Sequence, residues 1–246
     1  MGLAVVTVAS GGLPVVETAG GGLPVTEAAL GVAVTKVVGK PGLPVTFVSA
    51  DGGPAVVPTT WNATDKSANI TLAGGNLSAS CTNTSDGGVR STLSKTGKKV
   101  YFESAWGTSS GGDNGHGIAT GAASFASLAP NGTGGVIAFI GSGNIYYNGS
   151  LAGISLGSLA SVTTCFAVDL INKRFWARKA GGPWNNNAGF DPATNTGGID
   201  ISTLFASAPA FAAATFNSTT GTATINYGAT AFTQAIPAGF TAWNLA

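Results

Sequence analysis

The sequence predicts an all-β protein, a jelly-roll sandwich of two antiparallel sheets preceded by an extended arm of β-repeats. Three observations predict it. Apolar and polar residues alternate in short runs, the period of strands with one buried face. Glycine turns separate the runs at fairly even spacing, and Gly supplies 38 of the 246 residues. No stretch of helical length carries the capped 3.6-residue period of an α-helix.

Composition narrows the class. Hydrophobic residues are 44% of the chain, enough for a core, while charged residues are only 9%, against roughly 25% in ordinary soluble domains. Such a surface suits a protein that is largely covered or built into an assembly. A formal net charge of +1 leaves no electrostatic footprint for nucleic acid. No apolar run approaches the roughly 20 residues that span a bilayer, so membrane insertion is not expected. The N-terminus lacks a basic region followed by an apolar one, which points to synthesis in a host cytoplasm and delivery by assembly.

Residues 1–50 form the arm. Gly2-Leu-Ala-Val-Val, Gly12-Leu-Pro-Val-Val, Gly22-Leu-Pro-Val-Thr, Gly31-Val-Ala-Val-Thr and Gly42-Leu-Pro-Val-Thr recur about every ten residues. In the Pro-bearing units the apolar row is Leu13 and Val15, Leu23 and Val25, and Leu43 and Val45, which Phe47 continues. Each unit reads as one extended segment closed by a glycine turn, and the prolines remove ladder donors. A segment this short buries too little surface to stand alone. It is therefore either a flexible linker or an arm that orders against sister copies in a trimer or against a larger lattice; the docked arm is the reading adopted. Residues 51–60 read as a linker, and 61–246 as the sandwich.

Within the sandwich, stretches 69–73, 76–80 and 90–94 alternate as strands do. Val100 and Phe102 share one face, with Tyr101 and Glu103 on the other. Residues 134–140 are continuously apolar, as in a strand covered on both sides. Ile145 and Tyr147 share a face, as do Phe166, Val168 and Leu170, and then Phe175 and Ala177. Residues 222–227 and 237–243 complete the set, ten to fourteen short strands in all, and 202–207 reads as a single helical turn. Cys81 and Cys165 lack any C-x-x-C spacing, leaving two buried thiols or one bridge.

Four motifs then fall in order: Lys99-Val-Tyr-Phe-Glu103; Gly141-Ser-Gly-Asn-Ile-Tyr-Tyr-Asn-Gly149; Ala167-Val-Asp-Leu170 followed by Arg174-Phe-Trp-Ala-Arg-Lys179; and Thr224-Ile-Asn-Tyr-Gly228. Together they resemble the SPRY domain over residues 61–243. The family's strand and hairpin signatures read W/Y-Y-F-E, G-x-G-x-x-Y-x-N-G, V-D-L with I-W-F-x-K-N-G, and N-F-G. Ala180-Gly181 departs from the usual Asn-Gly, and Tyr227 from the usual Phe. The resemblance implies a concanavalin A-like sandwich that binds partners through loops at one end. The insertion 185–198 is similar to a variant common in bacteriophage and bacterial SPRY-like proteins, and the repeats to N-terminal segments of phage virion proteins.

Catalytic chemistry finds little support. His116 is the only histidine, so a two-histidine metal site is not available, and its glycine-rich surroundings read as a loop with the ring bonded to nearby backbone. Glu103 is the only Glu beyond the arm, and no second acid accompanies it for glycosidase chemistry. Asp113, Asp191 and Asp200 sit in turn-forming stretches where Asx-turns are the usual duty. No phosphate-cradling loop ending in Gly-Lys-Ser/Thr occurs. The chain is expected to be no enzyme and to need no metal or cofactor.

Recognition is the better fit. Trp184 beside Asn185, Asn186 and Asn187 would set an aromatic platform next to amide donors and acceptors, with Tyr146 contributing; Trp176, Trp184 and Trp243 can equally be core. The function expected is that of a bacteriophage virion structural protein, a short head or tail fibre, spike or capsid decoration protein. It would form homotrimers at the virion surface. The arm would hold capsid or tail proteins of the same particle, and the sandwich would face a host-surface glycan or protein. The alternatives are a purely architectural capsid cement and a free bacterial carbohydrate-binding or adhesin module.

Overall fold

The computed structural model describes residues 5–6, 36–37, 58–108 and 113–245. The chain divides into two compact units, Met1–Val57 and Pro58–Ala246. In the first, β1 (Val5–Val6) pairs antiparallel with β2 (Lys36–Val37). Leu13, Val15, Leu23, Val25, Leu43, Val45 and Phe47, expected from the sequence to anchor the arm, lie outside the described residues.

The second unit is a sandwich. Its strands are β3 (Trp61–Lys66), β4 (Ile70–Ala73), β5 (Ser78–Cys81), β6 (Gly87–Ser91), β7 (Lys99–Trp106), β8 (Gly115–Thr120), β9 (Gly135–Phe139), β10 (Asn144–Tyr147), β11 (Ser150–Ser155), β12 (Thr163–Asp169), β13 (Arg174–Lys179), β14 (Ile199–Asp200), β15 (Ala210–Phe216), β16 (Thr222–Asn226) and β17 (Thr241–Ala242). One sheet has the order β11-β10-β9-β8-β15-β6-β3, the other β14-β13-β12-β7-β16-β5-β4. Both are antiparallel, and β17 adds a short parallel pairing along β7.

The alternation read from the sequence is the alternation that builds the core. Val100, Phe102, Phe166, Val168, Phe175 and Ala177 meet Ile118, Val136, Ala138, Ile145, Ala212 and Ala214 between the sheets. Register aligns them: Phe166 lies opposite Phe102 on one side and Ala177 on the other, and the two Phe rings stack 4.8 Å apart. The opposite row places Ala167 between Tyr101 and Trp176, a small residue between two large rings on the neighbouring strands. Those residues join Cys165, Trp184 and Phe240 in a second cluster, which lies on the outer face of that sheet. A third cluster of Ala119, Leu128, Ile137, Phe139 and Ala213 covers the outer face of the other sheet. Strand β9 is buried throughout, as its apolar run predicts.

Two glycine-bearing turns fix the centre of the chain. Asn148 and Gly149 both have positive φ (47° and 84°) and close the β10–β11 hairpin, the pairing that matches strand twist. Gly143 has φ 67°, and the backbone of Gly157 occupies the space where a side chain would sit, so no other residue fits there.

The expectation of no helical run is corrected by α1 (Phe125–Asn131). It packs Leu128 against the outer face of the first sheet and ends at Gly132, whose left-handed N–H donates to Leu128 O. Its sequence hides it: Ser124 makes no side-chain cap and Pro130 sits inside. The turn read at 202–207 is α2 (Ser202–Phe205). The strand expected over 76–80 starts only at Ser78, because Asn76 turns the chain with φ 63°.

Candidate functional site

The insertion after β13 brings Trp184 and its three asparagines to the second sheet, but not as an open platform. Trp184 is 7% exposed; it belongs to the outer cluster with Tyr101 and Trp176, and the Arg178 guanidinium lies 4.3 Å from its ring. Asn185 is 3% exposed and serves the backbone. Its Oδ1 accepts from Ala177 N at 2.9 Å, and its Nδ2 donates to Phe175 O and Gly197 O at 3.3 and 2.9 Å. That duty explains a residue held at φ 47°. Asn186 donates to Ser155 O at 3.0 Å, and Asn187 Oδ1 accepts from Gly189 N in an Asx turn. Tyr146 lies on the outer face of the other sheet, edge-on to Phe139 at 5.3 Å. It thus belongs to a different cluster from Trp184 and forms no platform with it. Trp176 and Trp243 are fully buried.

The residues weighed for chemistry are likewise spent inside the fold. Glu103 is 2% exposed, and its carboxylate accepts from Tyr101 OH (2.7 Å), Thr233 N (2.8 Å), Thr233 Oγ1 (3.0 Å) and Gln234 N (3.0 Å). It fastens the segment before β17 onto the sheet, where Phe232 packs edge-on to Tyr101. His116 does not lie in a loop. It stands in β8, fully buried between the sheets against Trp106 and Phe166. Its Nδ1 is 2.9 Å from Ser104 Oγ, Nε2 has no hydrogen-bond partner among the described residues, and burial lowers its pKa to about 3, so the ring is neutral.

Both cysteines are free and buried, which decides between the two readings. Burial pushes the Cys165 thiol up to about 11. Asp191 accepts from Ala193 N, and Asp200 from Ser202 N, each at 2.9 Å, the Asx geometry expected of them. Burial, with Asp86 nearby, raises the pKa of Asp113.

Open surface occurs elsewhere. A groove of about 350 Å³ runs between the edge strands β11 and β14, lined by Tyr147, Leu151, Ile154, Ile199 and Asp200. A second, of about 470 Å³, lies where β7 begins, between the β12–β13 turn and the closing segment; Lys98, Lys99, Ile171, Thr241 and Leu245 line it. Sequence reading misses both, since each is assembled from residues distant in the chain. The one signal for the second is an isoleucine at a turn, followed by polar residues.

No protein-family model and no curated protein matches the chain. Solved structures do. The SPRY domain of human HERC1 superposes with a TM-score of 0.54 at 12% identity, covering 67% of this chain and 96% of that domain. The TRIM65 PSpry domain gives 0.49 at 11% identity, covering 68% of this chain and 91% of its own. A human SPRY domain gives 0.46 at 15% identity, with 64% and 94% covered. The first of these shows the fold, a SPRY-type sandwich of two antiparallel sheets.

Proposed function

We propose that this chain is a non-enzymatic structural protein of a bacteriophage particle, held to capsid or tail by its repeat arm and displaying the sandwich as a binding module. One observation carries the binding part of the reading. Glu103, His116 and Asp169, the buried groups best suited to acid–base work, all face into packed structure, whereas the two grooves are open and framed by edge strands and turns. The virion part rests on the Gly-Leu-Pro-Val repeats, which are too short to fold alone and are suited to ordering against a partner. Oligomeric display, as a trimer, would let a weak sandwich–host contact gain avidity.

Deletion of residues 2–48 tests the anchor. The truncated chain is expected to keep a cooperative melt and to be absent from purified particles; incorporation at the full-length level would end the anchoring reading. Host recognition is tested by presenting the full-length protein to an array of host-surface polysaccharides and envelope proteins, where binding is expected. The low charge of 9% also favours an architectural cement. That reading gains if the array is silent and particles lacking the protein lose their contents at lower temperature.

A further inference from the structure

We infer that the groove at the start of β7 is a docking site for an extended acidic segment of a partner protein that carries a branched or aromatic apolar residue beside its carboxylates. The inference rests on reading the sandwich as a binding module, and it is independent of where the arm is anchored.

The apolar half of the argument is exposure under restraint. Ile171 and Leu245 are 58% and 70% exposed, the two most exposed large hydrophobic side chains among the described residues, and both line this one groove. Ile171 is not on a slack loop. The buried Asp169 carboxylate accepts from Ile171 N (2.9 Å), Asn172 N (2.8 Å) and Asn172 Nδ2 (2.8 Å), and Lys99 Nζ sits 3.0 Å away. Leu170 N donates to Lys98 O at 2.8 Å and ties the same turn to the strand beside it. The opposite wall is fixed by β17 on β7 and by Thr241 Oγ1 donating to Lys99 O. Four charge-assisted contacts therefore hold an isoleucine out in water, a pre-formed surface rather than a frayed one. Gly97 and Gly239 leave the rim clear, each with empty space where a side chain would stand.

Charge selects the occupant. Lys98 is exposed and makes no ion pair with a described residue, and Lys173 follows two positions after Ile171. The carboxylate at hand, Asp169, is buried and already committed to Lys99 and the turn. An incoming acidic group thus meets uncompensated positive charge next to an apolar wall. Nucleic acid is the poorer fit, because the groove presents no aromatic face for a base and too few cations to follow a phosphate backbone.

The test is selection of random nonapeptides on the full-length protein, followed by repeat selection on the exposed-surface variants K98E and I171S/L245S. The wild type is expected to enrich Asp or Glu adjacent to Leu, Ile or Phe. K98E should weaken the enriched peptides about tenfold and turn the selection towards Lys and Arg; I171S/L245S should erase the apolar preference while leaving the acidic one. Unchanged melting of both variants shows that the fold is kept. Peptides that bind wild type and both variants alike overturn the groove while leaving a binding module elsewhere. No enriched peptide at all overturns the groove and removes support from the module reading. Binding of single-stranded DNA or phosphatidylserine vesicles that K98E abolishes, with no peptide enrichment, likewise overturns the proposal.

Discussion

Glu103 and His116 are both buried polar residues on central strands, one in each sheet, yet the fold treats them in opposite ways. Glu103 lies on the outer face of the second sheet, where a loop can be folded back to supply donors, and it receives four from nitrogen and oxygen besides the Cys165 thiol. His116 lies between the sheets, packed against Trp106 and Phe166, and its one hydrogen-bond partner among the described residues is Ser104. The difference follows from what each group costs to bury. A carboxylate taken out of water without donors is prohibitive, so the fold brings backbone N–H groups to it. An imidazole can surrender its proton instead, and burial drives it to the neutral form. One residue organises a segment; the other only fills space.

The largest effect should come from E103A. It strands Tyr101 OH and the N–H groups of Thr233 and Gln234 in a buried setting, at a cost of about 4 kcal/mol. Denaturant unfolding measures it, and hydrogen exchange should speed first at Thr233 and Gln234. A loss below about 1 kcal/mol would mean the segment is held by Phe232 packing on Tyr101 rather than by the carboxylate.

His116 predicts a pH dependence of definite sign. Its pKa is about 3 when folded, against the ordinary imidazole value of 6.5 once unfolding exposes it to water. Below 6.5 the unfolded chain takes up a proton that the folded one refuses, so stability is full above that pH and falls as pH drops towards 3. Between about pH 7.5 and 4.5 the loss should be roughly 2–3 kcal/mol, at about 1.4 kcal/mol per pH unit. The variant H116F should be nearly flat over that range. A wild-type curve as flat as the variant's would place the imidazole in contact with water and remove the contrast with Glu103.

Much of this architecture is legible in the chain, and the reasons for the rest are physical. Val100/Phe102 and Phe166/Val168 announce strands with one buried face because side-chain direction alternates without exception, but the burial of Tyr101 and Ala167 on the other face depends on segments folded over it, which alternation does not record. Asn148-Gly149 announces a hairpin because few residues accept positive φ. His116 misleads because glycines flank it, and glycine marks close strand approach as well as turns. A side chain at Gly117 would run into Val136 O, so the glycine there serves packing. Trp184 reads as a platform because the sequence cannot show that Arg178, six residues earlier, covers its ring. Asn185 looks available for a ligand, and three backbone groups already hold it. The second groove depends on segments some 70 residues apart meeting at one end, which no local pattern records.

Asp169 is the case that sharpens the comparison most finely, because it combines both strategies. Burial raises its pKa, but hydrogen bonds from the Asn172 backbone and side chain, from Lys99 and from Ile171 N outweigh burial and hold it below the ordinary 3.8. Its contribution is therefore complete above about pH 4 and lost as pH falls further, a window beneath the one that belongs to His116. D169N keeps an oxygen for the two turn N–H groups but turns an amide NH₂ towards Lys99 Nζ or Asn172 Nδ2, at a cost of about 2 kcal/mol. Unfolding curves at pH 7 and pH 3 should show that loss at neutral pH and a smaller gap between variant and wild type in acid. The same substitution releases the turn that holds Ile171 in water, so hydrogen exchange at Ile171 and Asn172 should quicken while β12 and β13 stay protected. If the turn stays protected in D169N, then the backbone pairing of β12 with β13 sets its shape, and the buried carboxylate serves Lys99 alone.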